Sequence, residues 1–237
     1  TANRCWRAAK RSKVQVDFPV VPAGMAALNM TDMTMQSAVD ATSAVPTSGE
    51  EGNRRGDIIR AAGRLFRQKG YNGTTIRDIA DAVGMRSGSP FYHFKSKHEI
   101  LFTVTTEGIE VMLRNLEMVI AKGQPARECF EDCVATHMNY LLGPGRDFAW
   151  VMLYESRLLD PAERAIVHRM SARYEEVFSA VLDRLQASGH LHDASAVARK
   201  LILGAINWSA QWYDETGASD PQAIARQLCA LVLHEKN

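Results

Sequence analysis

The chain has 237 residues, 46% of them apolar, enough for one sizeable core or for a small domain joined to a larger one. No apolar run approaches the roughly 18 to 20 residues that cross a bilayer, and Cys5, Cys129, Cys133 and Cys229 are too few and too scattered for a disulfide framework, so a membrane span is excluded and a reducing cytoplasm fits. The net charge of +1 conceals an asymmetry, because residues 53–105 carry ten Lys/Arg and four Asp/Glu while residues 106–237 carry thirteen and eighteen; one small region is built to approach a polyanion and the rest is not.

Residues 1–52 show no sustained hydrophobic period. They contain Pro19, Pro22 and Pro46 and a Ser/Thr/Ala/Gly-rich stretch over 37–49, a composition that predicts a disordered extension. The basic tip (Arg4, Arg7, Lys10, Arg11, Lys13) leads into no apolar segment and no small-residue cleavage site, so no signal peptide is expected. That tip reads either as a solvated tail or as an arm adding phosphate contacts.

After Gly52 the pattern turns helical. Ile58, Ile59, Ala62, Leu65 and Phe66 recur at three- and four-residue spacing and stop at Gly70, which predicts an amphipathic helix with a glycine C-cap. Thr74 or Thr75 then caps a short helix carrying Ile76, Ile79, Ala80 and Val83, which Gly84 ends. A third helix is expected from Arg86 or Ser87, with Gly88 and Ser89 in its first turn, Pro90 tolerated there, and Phe91, Tyr92 and Phe94 following. Longer helices are expected over 97–121, 126–142, 148–158, 162–187, 194–216 and 221–234, separated by Gly/Pro punctuation. With no convincing strand alternation, the fold class is all-α: a helix-turn-helix unit over 53–100 and a helical bundle over 101–237.

Two short helices joined by a tight turn inside the basic region satisfy the physical requirements of a DNA-binding helix-turn-helix. The second would present Arg86, Ser87, Gly88 and Ser89 to the major groove. Small residues there let the backbone approach DNA, and Arg86 can reach a phosphate or a guanine edge. The run RRGDIIRAAGRLFRQKGYNGTTIRDIADAVGMRSGSPFYHFKSKHEIL, residues 54–101, resembles the N-terminal domain of TetR-family repressors, through Ala62, Leu65-Phe66, Gly70-Tyr71, Thr74-Thr75, Asp78-Ile79-Ala80, Gly84 and Tyr92-His93-Phe94 with Lys97. The resemblance implies phosphate contacts from Thr75 and Lys97, and a recognition helix over 86–93 that includes Tyr92 and His93. Two positions depart from the family pattern: Pro90 stands where an apolar residue is common, and Phe91 where Tyr is common. Phe91 has no hydroxyl to offer a phosphate, so Tyr92 is the expected contact of the two.

The C-terminal helices hold many large, adaptable side chains, among them Met112, Trp150, Met152, Tyr154 and Phe178. Singly these suit a core, and as a group they suggest an apolar ligand cavity between helices. The segment LILGAINWSAQWYDETG places Asn207-Trp208 and Trp212-Tyr213 on adjacent faces of one helix. It resembles a box in TetR-type regulators of fatty-acid, acyl-CoA and steroid-degradation genes, as does the string GMRSGSPFYHF. That resemblance implies an acyl-CoA inducer, an apolar slot including Asn207, Trp208 and Trp212, and basic groups at its mouth, for which Arg146, Arg157, Arg169 and Arg173 are candidates. It also implies a homodimer through the last two helices, whose stripes include Val197, Leu201, Gly204 and Ala205, then Ile224, Leu228, Leu231 and Val232.

Cys129, Cys133 and His137 share one helical face and offer an alternative reading as a thiol or zinc/copper sensor. A half-buried face bearing two small thiols is the preferred explanation of the two. No Ser-His-Asp order, nucleophile elbow, phosphate loop or paired carboxylates points to an enzyme, and no cofactor is implied. The partners expected are operator DNA, a small lipophilic inducer and a second copy of the chain, with no membrane.

Overall fold

The computed structural model describes residues 48–217 and 219–234, with side chains from Arg54 onward, and residues 45–237 form one compact unit. The disorder expected for residues 1–47 lies outside the described residues. Among the described residues every regular element is helical, and no helix is long and apolar enough to cross a membrane.

Helix α1 runs Ser48–Lys69 and so begins within the stretch expected to lack order. Gly70, at φ 73°, supplies the left-handed residue that ends it. Helix α2, Ile76–Ala82, starts from a reciprocal cap: the Thr75 hydroxyl accepts from Asp78 N at 3.0 Å while Asp78 Oδ2 accepts from Thr75 N at 2.8 Å. The buried Thr74 hydroxyl turns back onto the end of α1, 2.9 Å from Gly70 O. Gly84, at φ 66°, makes the turn.

Beyond that turn the structure differs from the expected helix. Residues 86–88 form a turn, and only Ser89–Tyr92 is helical, as a 3-10 turn. The cause is Pro90. An α-helix begun at Arg86 needs the N–H of residue 90 to reach Arg86 O, and proline has none. The bonds made instead are three-residue steps, Ser89 N to Arg86 O at 2.8 Å and Phe91 N to Gly88 O at 3.2 Å.

Six further helices follow: α3 Lys97–Ala121, α4 Ala126–Leu142, α5 Arg146–Trp150, α6 Pro161–Ala187, α7 Ala196–Trp212 and α8 Pro221–Val232. Between α5 and α6 the chain passes through a π-helical turn over Val151–Glu155 and a 3-10 turn over Ser156–Leu158, where one continuous short helix was expected.

Two apolar cores result. The first joins Ile58, Ile59, Ala62 and Phe66 of α1 to Ile79, Phe94, Ile100, Leu101 and Val104, and draws in Val151, Leu159 and Val167. The second joins Leu116, Phe130, Val134, Met138, Phe178, Leu182 and Ile206 from α3, α4, α6 and α7. Helix α3 has 25 residues, about 37 Å at 1.5 Å per residue, and contributes its first half to one core and its second half to the other. An ion pair and a hydrogen bond brace the DNA-binding head on the body: Arg67 Nε to Asp147 Oδ1 at 2.5 Å, and His98 Nε2 to Glu163 Oε2 at 2.6 Å.

Candidate functional site

The head presents its expected DNA residues along one run of chain. Arg86, Ser87 and Gly88 are exposed in the turn, Ser89 and His93 are half-buried, and Tyr92 is 90% exposed. Phe91, at 55%, stands beside it. The two residues expected to grip phosphates from helix starts are otherwise engaged. Thr75 gives its hydroxyl proton to Asp78 Oδ2 at 2.5 Å and its amide proton to the same oxygen, so both of its donors are taken. These bonds, chiefly the one from the hydroxyl, hold the Asp78 carboxyl down at about 2. Lys97 Nζ donates to Tyr71 O at 2.8 Å and Thr74 O at 2.7 Å and lies 4.2 Å from the centre of the Tyr71 ring. An ammonium has three donors, so one remains for a phosphate. Partial burial pulls Lys97 below the ordinary lysine range.

The body contains a half-open cavity of about 410 Å³, and its walls come from both cores. Ile109, Met152 and Val167 line it and belong to, or pack on, the core of the head; Met112, Tyr174 and Leu203 line it from the core of the body. It therefore lies at the seam between the two. Half of its fourteen lining residues are polar or charged. His137 and Tyr174 are buried, with Tyr174 Oη 2.8 Å from His137 Nδ1. Burial pushes the His137 imidazole down to about 4, and the Asn207 amide beside it opposes this only in part. The Tyr174 phenol is raised far above its usual value, first by burial. Lys200 and Glu175 stand at the rim, with Ser156 and Ser171.

Of the residues expected at a ligand site, Met112, Met152 and Asn207 line this cavity. Five others lie elsewhere. Phe178 is wholly buried, between Phe130 and Tyr174. Trp150 stacks on Tyr154 at 4.3 Å, and Trp150 lines a separate depression with Arg146 and Tyr213. Trp208 and Trp212 are 66% and 54% exposed. The reason is helical register: Leu203, Ile206 and Asn207 take the inward face of α7, and at 100° per residue Trp208 and Trp212 turn outward with Val197 and Leu201. None of the four arginines expected at the mouth lines the cavity. Arg146 pairs with Glu215, and Arg173 is 3.7 Å from Glu176. Lys200, Tyr174 and Ser171 went unpredicted, although Lys200, Leu203, Gly204 and Asn207 form an i, i+3, i+4, i+7 stripe and Val167, Ser171, Tyr174 and Glu175 an i, i+4, i+7, i+8 stripe.

The surroundings of the thiols do not favour the sensor considered as an alternative. Cys129 and Cys133 are buried, burial raises the Cys133 thiol far above its ordinary range, and His137 is bonded to Tyr174 instead. A buried protonated thiol is a poor nucleophile and a poor metal ligand. Among the described residues the one group with metal-ligand proximity is His98, Asp160 and Glu163. There both carboxylates cap the positive end of α6, where the helix dipole disfavours a cation.

Two family models match the chain: "Bacterial regulatory proteins, tetR family" over residues 58–104, and "Tetracyclin repressor-like, C-terminal domain" over residues 123–235. The chain belongs to the TetR family. It is a DNA-binding transcriptional regulator of that family and not an enzyme. The HTH-type transcriptional repressor KstR2 of Rhodococcus jostii is 27% identical over 192 residues, spanning 79% of this chain and 92% of that protein. The fatty acid metabolism regulator protein of Bacillus subtilis is 25% identical over 152 residues, 63% of this chain and 78% of that one. Among solved structures, the TetR-family regulator PfmR of Thermus thermophilus is similar at TM-score 0.68 and 27% identity, covering 74% of this chain and 96% of its own. In this TetR-family regulator the matched N-terminal segment is the basic head, and the matched C-terminal segment contains α4, α6 and α7, which supply much of the cavity, and α8, which does not line it.

Proposed function

We propose that the protein is a homodimeric repressor that releases its operator when an apolar small molecule, of the acyl-coenzyme A class, fills the seam cavity. The observation that carries this reading is the cavity's position: Ile109, Met152 and Val167 are at once its wall and part of the packing of the DNA-binding head. A ligand wedged there must alter how head and body pack, because close-packed cores shift between discrete arrangements. The two recognition segments of a dimer must sit about 34 to 36 Å apart to enter successive major grooves, so a small tilt of each head separates the binding and non-binding states. A coupling of about 2 to 3 kcal/mol weakens operator binding by one to two orders of magnitude.

The name of one relative, a fatty acid metabolism regulator, supports an acyl ligand. So does the distribution of polarity, with an apolar interior and Lys200 at the rim to meet phosphates outside. The exposed stripe Val197, Leu201, Trp208 and Trp212 on α7, with Leu231 of α8, supports the dimer. Such a face remains in water unless a second copy covers it. In the head, Arg86, Ser87 and Tyr92 carry donors that meet DNA, with the third Lys97 proton on a phosphate.

Fluorescence anisotropy on a duplex selected from random sequence tests the reading. Acyl-coenzyme A thioesters are expected to weaken binding by about ten- to a hundredfold, and free coenzyme A to do much less. Unchanged affinity across short, medium and long acyl chains would remove the acyl-coenzyme A assignment.

A further inference from the structure

We infer that the inner end of the seam cavity recognises an uncharged hydroxyl on an otherwise apolar ligand, through the Asn207 amide and the His137–Tyr174 pair. This rests on reading the cavity as the ligand site. The cavity narrows the choice of ligand because its wall is apolar on both sides, from Ile109 and Met152 to Met112 and Leu203, yet carries three polar side chains at one place. Asn207 Oδ1 is buried there and meets no hydrogen-bond donor. Although the amide stands near enough to His137 to favour its protonation, their approach falls short of a hydrogen bond from the ring. A buried acceptor left in this state destabilises the empty site, and a ligand donor would satisfy it.

The charge of that ligand group follows from its surroundings. His137 is 5% exposed and held neutral by burial, and Tyr174 keeps its proton. Lys200, the cation of the lining, is exposed, and Glu175 of the same lining is paired with Arg199. A carboxylate at the inner end would lose its hydration with no cation to replace it. A ketone accepts from the ring or the amide but cannot donate to Asn207 Oδ1. A hydroxyl does both: its proton goes to Oδ1, and its oxygen accepts from the imidazole N–H that remains when Tyr174 donates to Nδ1. An unsubstituted hydrocarbon end satisfies none of these groups. The geometry therefore favours an acyl chain or ring system hydroxylated far from its charged end over a plain saturated chain.

Isothermal titration calorimetry on the full chain, with probes of equal chain length, decides the point. 1-Decanol is expected to bind about tenfold more tightly than decanoate at neutral pH and severalfold more tightly than 2-decanone. In Asn207→Leu, which keeps the volume and removes the amide, the advantage of the alcohol over the ketone should vanish while both still bind. Equal affinity for the three probes, an order that survives Asn207→Leu, or no binding by any of them would each overturn the inference. Operator affinity is read separately. If 1-decanol binds in the expected order and the duplex is still held, the hydroxyl site stands and the release mechanism falls; if decanoate binds as well as the alcohol and the duplex is released, the reverse holds.

Discussion

The head and the cavity are both polar sites on apolar frames, but they are assembled in opposite ways. Every group of the head proposed to face DNA falls within residues 75–97, so local spacing, caps and turns place them. The cavity gathers residues from 109 to 207, on four helices and one irregular segment, and its composition is decided by which face of each helix turns inward. A site made from one stretch of chain tolerates loss of distant packing. A site made at a seam depends on all of it.

The largest expected effect tests whether the outward face of α7 belongs to neither site. Trp208→Asp should weaken dimerisation by about a hundredfold, since a desolvated charge at the centre of an interface is among the costliest substitutions. Sedimentation velocity over a concentration series reads this directly, and probe binding in the cavity should be nearly unchanged. An intact dimer would return the tryptophans to the search for a ligand role.

Next comes Lys97→Ala. Loss of the phosphate contact should lower affinity for all duplexes about tenfold and reduce the salt slope by about one ion. Because Lys97 also ties Tyr71 O to Thr74 O, the melting temperature should fall as well. A change in melting temperature alone, with the salt slope intact, would make Lys97 a brace of the head and not a DNA contact.

The third effect separates the cavity from the head by pH. His137 titrates at about 4 in the folded protein against 6.5 for the ordinary imidazole, so the unfolded chain binds the extra proton first. The folded state therefore keeps its full stability above pH 6.5 and loses up to about 3 kcal/mol as pH falls toward 4. In urea titrations across this range, His137→Gln should show a shallower loss. Identical slopes in the two proteins would place the acid sensitivity elsewhere.

The smallest effect is local to the head. Thr75→Ala removes the cap of α2 and should cost about 1 kcal/mol of stability, seen as a drop of a few degrees in melting temperature. Since both Thr75 donors are spent on Asp78, the salt slope of DNA binding should hold steady. A slope that falls by one ion would show that Thr75 exchanges Asp78 for a phosphate on the duplex.

The contrast between the two sites also explains what the sequence disclosed. Helices α3 and α4 were legible to the residue because Ser96 and Gly143 punctuate them, and the two basic-region helices because Gly70, Thr75 and Gly84 mark their ends. The recognition segment was misjudged in form: Pro90 was allowed for as a first-turn residue, whereas it also cancels the bond that would carry an α-helix back to Arg86. In the cavity, side-chain size misled. Phe178, Trp150, Tyr154, Trp208 and Trp212 are the largest candidates, and core packing or an outward register claims each of them. The lining is carried by smaller or polar residues, Ser171, Lys200 and Asn207, visible only when the inward stripe of each helix is traced.

The irregular chain between α5 and α6 has a bearing on how such regulators diversify. Val151 and Leu159 lie in the core of the head, and Met152, Leu153 and Ser156 face the cavity, so this one strip touches both the DNA-binding head and the cavity proposed to hold the ligand. The stripe on α7, Lys200, Leu203 and Asn207, touches only the latter. Drift along α7 can change which compound is sensed while the operator stays the same, and a laboratory seeking a sensor for a new metabolite would randomise those three positions and leave Val151–Leu158 untouched.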